Sequence, residues 1–356
     1  MRILYGAVGE GLGHATRSRV VAEHLLGRGH RVKMAASGRA LPYLREHLPD
    51  VEEIWGLAFA LEHGRVEAWK TLSLNVRGGL RGVPEDWRRG AEIARAFAPE
   101  LVVADFDGFS YLFAKAHRLP VLSIDNIQMV DRCRHDAEIL HGIHRDYLAA
   151  RAFVGGKLPR ADRYLIATFF RPPLRKKRTV LVPSILRPEI LAASPESGSH
   201  LLVYGRLGET STAALRASGV PCRVYGARNG LTADEEEGNL RYRPFANEAF
   251  IDDLRTCRGV VASAGFSLMS EVVYLRKPML ALPLAGQFEQ EMNARYLERL
   301  GYGTAASALD EASLERFLAR LPALADALAG YEQDGNAQTF AEVDRAVDEI
   351  PVARRG

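Results

Sequence analysis

Twice along this chain, short apolar runs alternate with segments whose apolar residues recur at helical spacing, and a proline-rich basic stretch separates the two series. Such alternation specifies parallel sheets covered by helices, because two parallel neighbours need a crossover connection between them. In the first series the expected strands are Arg2–Ala7, Arg31–Ala36, Val51–Trp55, Leu101–Ala104, Val121–Ile124 and Arg163–Ala167. Several are apolar throughout, as strands buried on both faces must be. Between them, helical stripes run through Thr16–Arg28, Leu41–Glu46, Trp87–Phe97, Ser110–His117 and Asp136–Val154. The second series has strands at Leu201–Tyr204, Cys222–Tyr225, Leu240–Tyr242, Gly259–Ala262 and Pro278–Ala281, and Ala337–Ile350 reads as a closing helix.

The 356 residues are too many for one ordinary core and suit two. The expected organisation is α/β, with two Rossmann-like parallel-sheet domains facing a cleft. Residues 1–170 form the first and residues 200–335 the second. Residues 171–199, opening Arg171-Pro172-Pro173-Leu174-Arg175-Lys176-Lys177-Arg178, read as an extended linker. Residues 336–356 are a helix and tail expected to pack back on the first domain. Ligands of open parallel sheets bind at the carboxyl ends of the strands, so function is sought in the loops that follow them.

A net charge of +3 is too small to argue for nucleic acid, and no run approaches the roughly 18 apolar residues of a membrane span. Met1-Arg2-Ile3-Leu4-Tyr5 leads straight into a strand, without the apolar core of a signal peptide. Cys133, Cys222 and Cys257 are odd in number and widely spaced, which fits a reducing, cytoplasmic setting.

Gly9, Gly11 and Gly13 lie between the first strand and the first helix, where glycines let a ligand approach main-chain N–H groups. A P-loop would continue Gly-Lys-Ser/Thr, but Gly13-His14-Ala15 stands there. A dinucleotide fingerprint would need a third glycine and an acid ending the second strand, which instead runs into Ser37-Gly38. Both familiar readings fail. His14 remains, a side chain able to take a proton near neutral pH or simply to cap or pack at the helix start. Asp105 and Asp107 end one strand and Asp125 the next, each where a carboxylate can orient an imidazole; Asp105 is preferred.

Farther along stand Ser263-Ala264-Gly265, Glu271 six residues on, and Pro283 followed by Glu289-Gln290-x-x-Asn293-Ala294. Together with Gly9-x-Gly11-x-Gly13-His14, this ordered set resembles two-domain UDP-glycosyltransferases of the GT-B architecture. The likeness is greatest to the N-acetylglucosaminyltransferases that complete the peptidoglycan lipid precursor. It covers most of the chain except residues 56–95.

The resemblance implies an inverting, metal-independent hexosyltransferase with a UDP-sugar as donor substrate and no cofactor. It implies that His14 is the general base, that Glu271 binds both ribose hydroxyls, and that Ser263, Gly265 and the helix behind them receive the diphosphate. Glu289 and Gln290 would hold donor-sugar hydroxyls, and Phe245 would pack beside the base. Gly11 and Gly13 form the first glycine loop. Gly205 begins a second one in which Arg206, replacing the usual Ser, pairs with a phosphate. The acceptor is a small molecule or lipid-linked, the latter with peripheral contact at the inner membrane face. A Glu271 that reads a ribose favours UDP over a deoxythymidine donor. UDP-sugar hydrolases, in which the histidine of Gly-x-Gly-His-x-x-Arg activates water, resemble Gly11–Arg17 and form the alternative, with epimerases more distant. A non-catalytic nucleotide-sugar-binding protein is the alternative of another class.

Two further features carry less. Cys133, His135, His141 and His144 offer too few ligands on one helix face for a metal. The mixed apolar and basic segment from Trp55 to Trp87, with Trp69, Leu72, Leu74, Val76 and Leu80, is either an acceptor loop, a membrane-touching patch or a loop without such a role.

Overall fold

The computed structural model describes residues 1–9, 12–54, 61–62, 65–66 and 85–353. Gly11 of the first glycine loop lies outside the described residues, as do Trp55, Trp69, Leu72, Leu74, Val76 and Leu80. The chain divides into two compact units, Met1–Arg187 with Asp334–Gly356, and Pro188–Gln333.

Unit 1 runs β1 (Arg2–Ala7), α1 (Leu12–Gly27), β2 (Arg31–Ala36), α2 (Ala40–His47), β3 (Val51–Glu53), a small antiparallel pair β4 (Leu61–Glu62) and β5 (Arg65–Val66), and α3 (residues 85–96). It continues with β6 (Leu101–Asp105), α4 (Gly108–Ala116), β7 (Val121–Asp125), α5 (Met129–Arg132), α6 (His144–Lys157), β8 (Arg163–Ala167) and β9 (Thr179–Val182). Its seven-stranded sheet has the order β3-β2-β1-β6-β7-β8-β9, with every pair parallel. The strands β6 and β7 are buried along their whole length, which is why their sequences do not alternate.

Unit 2 runs α7 (Pro188–Leu191), β10 (Leu201–Tyr204), α8 (Glu209–Ala217), β11 (Cys222–Tyr225), β12 (Glu235–Glu237), β13 (Leu240–Arg243), α9 (Asn247–Thr256) and β14 (Gly259–Ala262). Then come α10 (Phe266–Tyr274), β15 (Met279–Ala281), α11 (Phe288–Arg299), β16 (Gly303–Ala305) and α12 (Glu311–Ala329). The second sheet has the order β12-β13-β11-β10-β14-β15-β16, parallel except for β12 at its edge. Leu314, Phe317, Leu321 and Leu324 form one stripe of α12 and pack on Leu201, Val203, Val224, Val261 and Leu280 of the strands. Asp310 starts that helix with a capping box closed by Ser313. The edge strand β12 is three glutamates, held by Arg228, Arg216 and Arg241, and such charge discourages further strand pairing.

Three expectations shift. Residues 171–187 are not a linker but part of unit 1, where Thr179–Val182 becomes the edge strand β9. Their basic run is drawn inward by Asp131, which takes Arg175 (2.8 Å) and Lys176. The helix read over Asp136–Val154 is broken, since Gly142 takes φ +75° and α6 starts only at His144. Finally, the seam back into unit 1 falls at Gln333/Asp334. Beyond it, α13 (Ala337–Ala353) packs on β7, β8 and β9, burying Val343, Ala346, Val347 and Ile350. His24 of α1 stacks on Phe340 at 4.0 Å and meets Asp344 at 2.8 Å, which ties the closing helix to the opening one.

In both sheets the strand order reverses once. In unit 1 the reversal lies between β1 and β6, in unit 2 between β10 and β14. At such a point the two following loops part in opposite directions and leave a crevice at the carboxyl edge.

Candidate active site

The unit 1 crevice is flanked by the start of α1 after β1 and by Asp105, the last residue of β6. Asp105 is 0% exposed, a position in which a lone carboxylate is strongly disfavoured. Four donors reach it: His14 Nδ1 (2.8 Å to Oδ1), Arg17 Nη2 (2.6 Å to Oδ1), Arg17 Nε (2.7 Å to Oδ2) and Ser18 Oγ (3.0 Å to Oδ2). His14 and Arg17 lie one turn apart on α1, so both side chains descend on one face toward the strand end. Burial alone would raise the Asp105 carboxyl, but Arg17 first and then His14 outweigh it and hold it down at about 2. The carboxylate is therefore ionised at any physiological pH.

His14 Nδ1 also lies 2.5 Å from Arg17 Nη2, and one nitrogen cannot donate to Asp105 and accept from Arg17 at once. The guanidinium already serves both carboxylate oxygens, and its Nη1 donates to Asn126 Oδ1 at 3.0 Å. With Nδ1–H donating to the Asp105 anion, the ring nitrogen that carries the free lone pair is Nε2, on a side chain 15% exposed.

The other two carboxylates of this edge have different duties. Asp107 caps α4, accepting from the Ser110 N–H at 2.7 Å. Asp125 ends β7 and accepts from the Gln128 N–H (2.7 Å) and the Ser123 hydroxyl (2.9 Å), with no contact to His14. Burial, reinforced by the neighbouring Asp105 charge, pushes it up to about 7. Gly9 has a packing reason, since a Cβ there would run into Ser37 Oγ and the Ser37 carbonyl. Gly13 stands in the first turn of α1.

In unit 2 the crevice is flanked by Gly205-Arg206 after β10 and by Ser263-Ala264-Gly265 after β14. Gly205 takes φ +137°, a conformation that L side chains rarely adopt, so glycine is required there for the turn itself. Arg206 is exposed and has no ion pair among the described residues. Gly265 is the N-cap of α10, whose first turn holds no acid. Its φ of −67° suits any residue and a Cβ would meet nothing within 4 Å, so neither backbone nor packing accounts for a glycine. The space it leaves lies at the positive end of a helix. Ser263 lies half-buried in the turn before it.

Glu271 sits on α10 about 9 Å along the axis from Gly265 and is 6% exposed, so it is no solvated helix carboxylate. Glu289, Gln290 and Asn293 are on α11. Gln290 Oε1 accepts from the Leu284 N–H (3.0 Å) and its Nε2 donates to Gln287 (2.6 Å), so its amide holds the loop before the helix. Asn293 Nδ2 donates to the Ala264 carbonyl and to Glu289 Oε1, both at 3.3 Å, while its buried Oδ1 has no partner among the described residues. Phe245 is 57% exposed after β13 and leans on Tyr204, Tyr225 and Phe250, forming an aromatic platform. Beneath it the buried Asp253 gathers Tyr225 Oη (2.5 Å), Arg243 (2.5 Å) and Arg223. Sequence reading placed Arg17 and Asn293 in motifs without giving either a role, and missed Ser18, Asn126 and Asp253. The spacing of Arg17 from His14 was the signal available for its role.

Cys133 is buried against Leu174 and His135 Nε2 lies 3.1 Å from the Met129 carbonyl; among the described residues no three His, Cys, Asp or Glu side chains converge on a metal position. No helix among them is long and apolar enough to cross a membrane.

Two parallel sheets in one chain, each with a crevice at its strand reversal, make the GT-B fold of the nucleotide-sugar glycosyltransferases, and solved structures share it. The spinosyn forosaminyltransferase SpnP superposes with a TM-score of 0.66 at 16% identity, over 98% of this chain and 100% of that one. UGT2 of Phytolacca americana, solved with UDP-2-fluoroglucose and pterostilbene, gives 0.66 at 13% identity, over 96% and 98%. The sequence matches glycosyl transferase family 1 over residues 1–322, and the chain belongs to that family. An uncharacterized glycosyltransferase of Methanosarcina acetivorans is 25% identical over 338 residues, 85% of either chain. The UDP-N-acetylglucosamine–N-acetylmuramyl-(pentapeptide) pyrophosphoryl-undecaprenol N-acetylglucosamine transferase of Maricaulis maris is 25% identical over 312 residues, 80% of this chain and 77% of that one. The protein is a glycosyltransferase.

Proposed function

We propose that the protein moves a sugar from a UDP-sugar to an acceptor hydroxyl with inversion at the anomeric carbon, without a metal, and with His14 as the general base. The observation that carries this is the 2.8 Å contact of His14 Nδ1 with the buried Asp105 carboxylate, which leaves Nε2 as the basic nitrogen. Nε2 takes the acceptor proton as the hydroxyl oxygen bonds to the anomeric carbon. The bond from that carbon to the diphosphate oxygen breaks, and UDP departs with its electron pair. Asp105 stays ionised throughout and balances the imidazolium.

On the donor side, the diphosphate charge meets the α10 N-terminus at Ser263 and Gly265, with the exposed Arg206 as counter-ion. Glu271 takes the two ribose hydroxyls in a charge-assisted contact, Phe245 packs beside the uracil, and Glu289 and Gln290 face the sugar hydroxyls. The names of the Maricaulis relative and of the Phytolacca complex both specify UDP-linked sugars, which supports the same donor class here. The former also supports a lipid-linked acceptor reached at a membrane face.

The test is turnover with a panel of UDP-sugars, with and without hydroxyl acceptors. His14→Ala should lower turnover about 10²–10⁴-fold and leave UDP affinity unchanged. NMR of the product should show the opposite anomer, and EDTA should have no effect. Transfer by His14→Ala at the wild-type rate removes the base assignment. Release of free sugar at the full rate without acceptor makes water the acceptor and the protein a hydrolase.

A further inference from the structure

Unit 1 contains a cavity of about 270 Å³, lined by none of the residues assigned above to sugar transfer. That volume is far above the ~10–15 Å³ that admits one water. It opens among α5, the end of α6, β8 and the stretch before β9, and Arg132, Arg160, Lys176 and Arg178 line it. The single carboxylate on its wall, Asp131, pairs with Lys176 there and with Arg175 (2.8 Å) and Arg151 (4.0 Å) beside it, which leaves Arg132, Arg160 and Arg178 without a carboxylate among the described residues.

The cations are presented in a particular way. Arg132 is buried, stacked 3.4 Å over the Tyr164 ring, and fixed by Thr179 Oγ1 (2.8 Å) and the Lys177 carbonyl (2.5 Å). Arg160 and Arg178 both take φ +59°, and their main chains are pinned by Lys115 Nζ (3.0 Å) and the Tyr164 N–H (2.8 Å) respectively. Their guanidinium groups are exposed and have no ion pair or hydrogen bond among the described residues. On the same wall Gln128 is 2% exposed, and its Nε2 is a buried donor without a partner among the described residues. A buried amide with an unmet N–H is costly unless something accepts from it.

We propose that this cavity is a binding site for a phosphate group, received by Gln128 Nε2 and by the Arg160 and Arg178 guanidiniums with Arg132 and Lys176 behind them. All the unmet groups are donors, so the ligand must be an acceptor with several oxygens. Three lining guanidiniums without a carboxylate partner favour a phosphate, which carries close to two negative charges, over a carboxylate, which carries one. The phosphate belongs either to a soluble compound or to a lipid headgroup.

The test titrates inorganic phosphate into the full-length protein by calorimetry, with chloride matching the ionic strength, and compares wild type with the double variant Arg160→Gln/Arg178→Gln. Both positions are exposed, so the fold is kept. The double variant should weaken phosphate binding about a hundredfold, about tenfold for each guanidinium, and leave UDP affinity unchanged. Gln128→Leu should weaken it too. Co-sedimentation with phosphatidylcholine vesicles with and without phosphatidic acid then assigns the source. Binding to the phosphatidic acid vesicles that the double variant loses indicates a lipid phosphate, and phosphate binding without co-sedimentation a soluble one. The proposal is overturned if phosphate binds no better than chloride, if acetate binds as tightly, or if binding survives the double substitution, which would place it elsewhere, such as the α10 N-terminus. Failure of the sugar-transfer reading would leave the phosphate and vesicle results unchanged.

Discussion

Replacing Asp105 by Asn keeps the shape of the side chain and removes its charge, which leaves the buried Arg17 guanidinium without its anion. Removing one member of such a buried pair costs about 3–5 kcal/mol. The pH dependence of that loss follows from the carboxyl itself. It ionises at about 2 in the folded protein against an ordinary 3.8. At about 1.4 kcal/mol per pH unit between these values, the ionised carboxylate contributes about 2–3 kcal/mol. Because the folded value is the lower one, this stability is complete above about pH 4 and disappears as the pH falls to about 2. Asn has no such dependence, so the deficit of the variant should be largest near neutrality and narrow by about 2–3 kcal/mol in strong acid. Urea unfolding followed by hydrogen exchange in β1 and β6 reads unit 1 separately from unit 2. Turnover should fall about 10³–10⁴-fold, because the amide N–H donates to Nδ1 and so favours the tautomer that carries its proton on Nε2. A deficit that does not change with pH, or wild-type turnover in the variant, refutes the account of an ionised Asp105 orienting His14.

Three other substitutions test neighbouring claims. Asp125 is raised from 3.8 to about 7, so its effect has the opposite sign: stability is complete below the ordinary value and is lost as the pH rises to about 7. Asp125→Asn should match wild type near pH 4 and exceed it by up to about 4 kcal/mol above pH 7 in urea unfolding, with the Ser123 hydroxyl turning from donor to acceptor. Glu271→Gln should weaken UDP binding about 10–100-fold in calorimetry and narrow the preference for UDP over dTDP, since it replaces a charge-assisted contact with a neutral one. Gly265→Ala should change the melting free energy by less than about 0.5 kcal/mol yet weaken UDP binding about tenfold, because only a ligand occupies the space. Gly303→Ala is the control: its Cβ would overlap the Met279 carbonyl oxygen and the Leu297 side chain, and should cost about 1–3 kcal/mol without touching the donor site.

The central strands were legible because burial on both faces leaves an apolar run without alternation, as in β6, β7 and β14. The strands that escaped are those at edges. β9 is preceded by a basic, proline-rich run that reads as a linker until Asp131 is seen to draw it in, and β12 is three glutamates that are stable only opposite arginines. The helix read across residues 136–154 failed at Gly142, whose positive φ interrupts a continuous apolar pattern. At the strand reversals, the positions of His14, Asp105 and Gly265 follow from strand order. What each carboxylate does there depends on which donors reach it, and three acids at equivalent edges became an ionised anchor, a helix cap and a raised buried acid. Periodicity carries no record of that choice.

The seam positions bear on how the chain is made. Unit 2 is a continuous segment, whereas unit 1 is assembled from both ends of the sequence, with α13 covering β7, β8 and β9. A ribosome adding about 5–20 residues per second releases all of unit 2 before the first residue of α13 emerges. The order of completion is thus the reverse of the order in sequence. The later-encoded unit can close its core while the earlier one still waits, one flank of its sheet bare, for α13 to emerge.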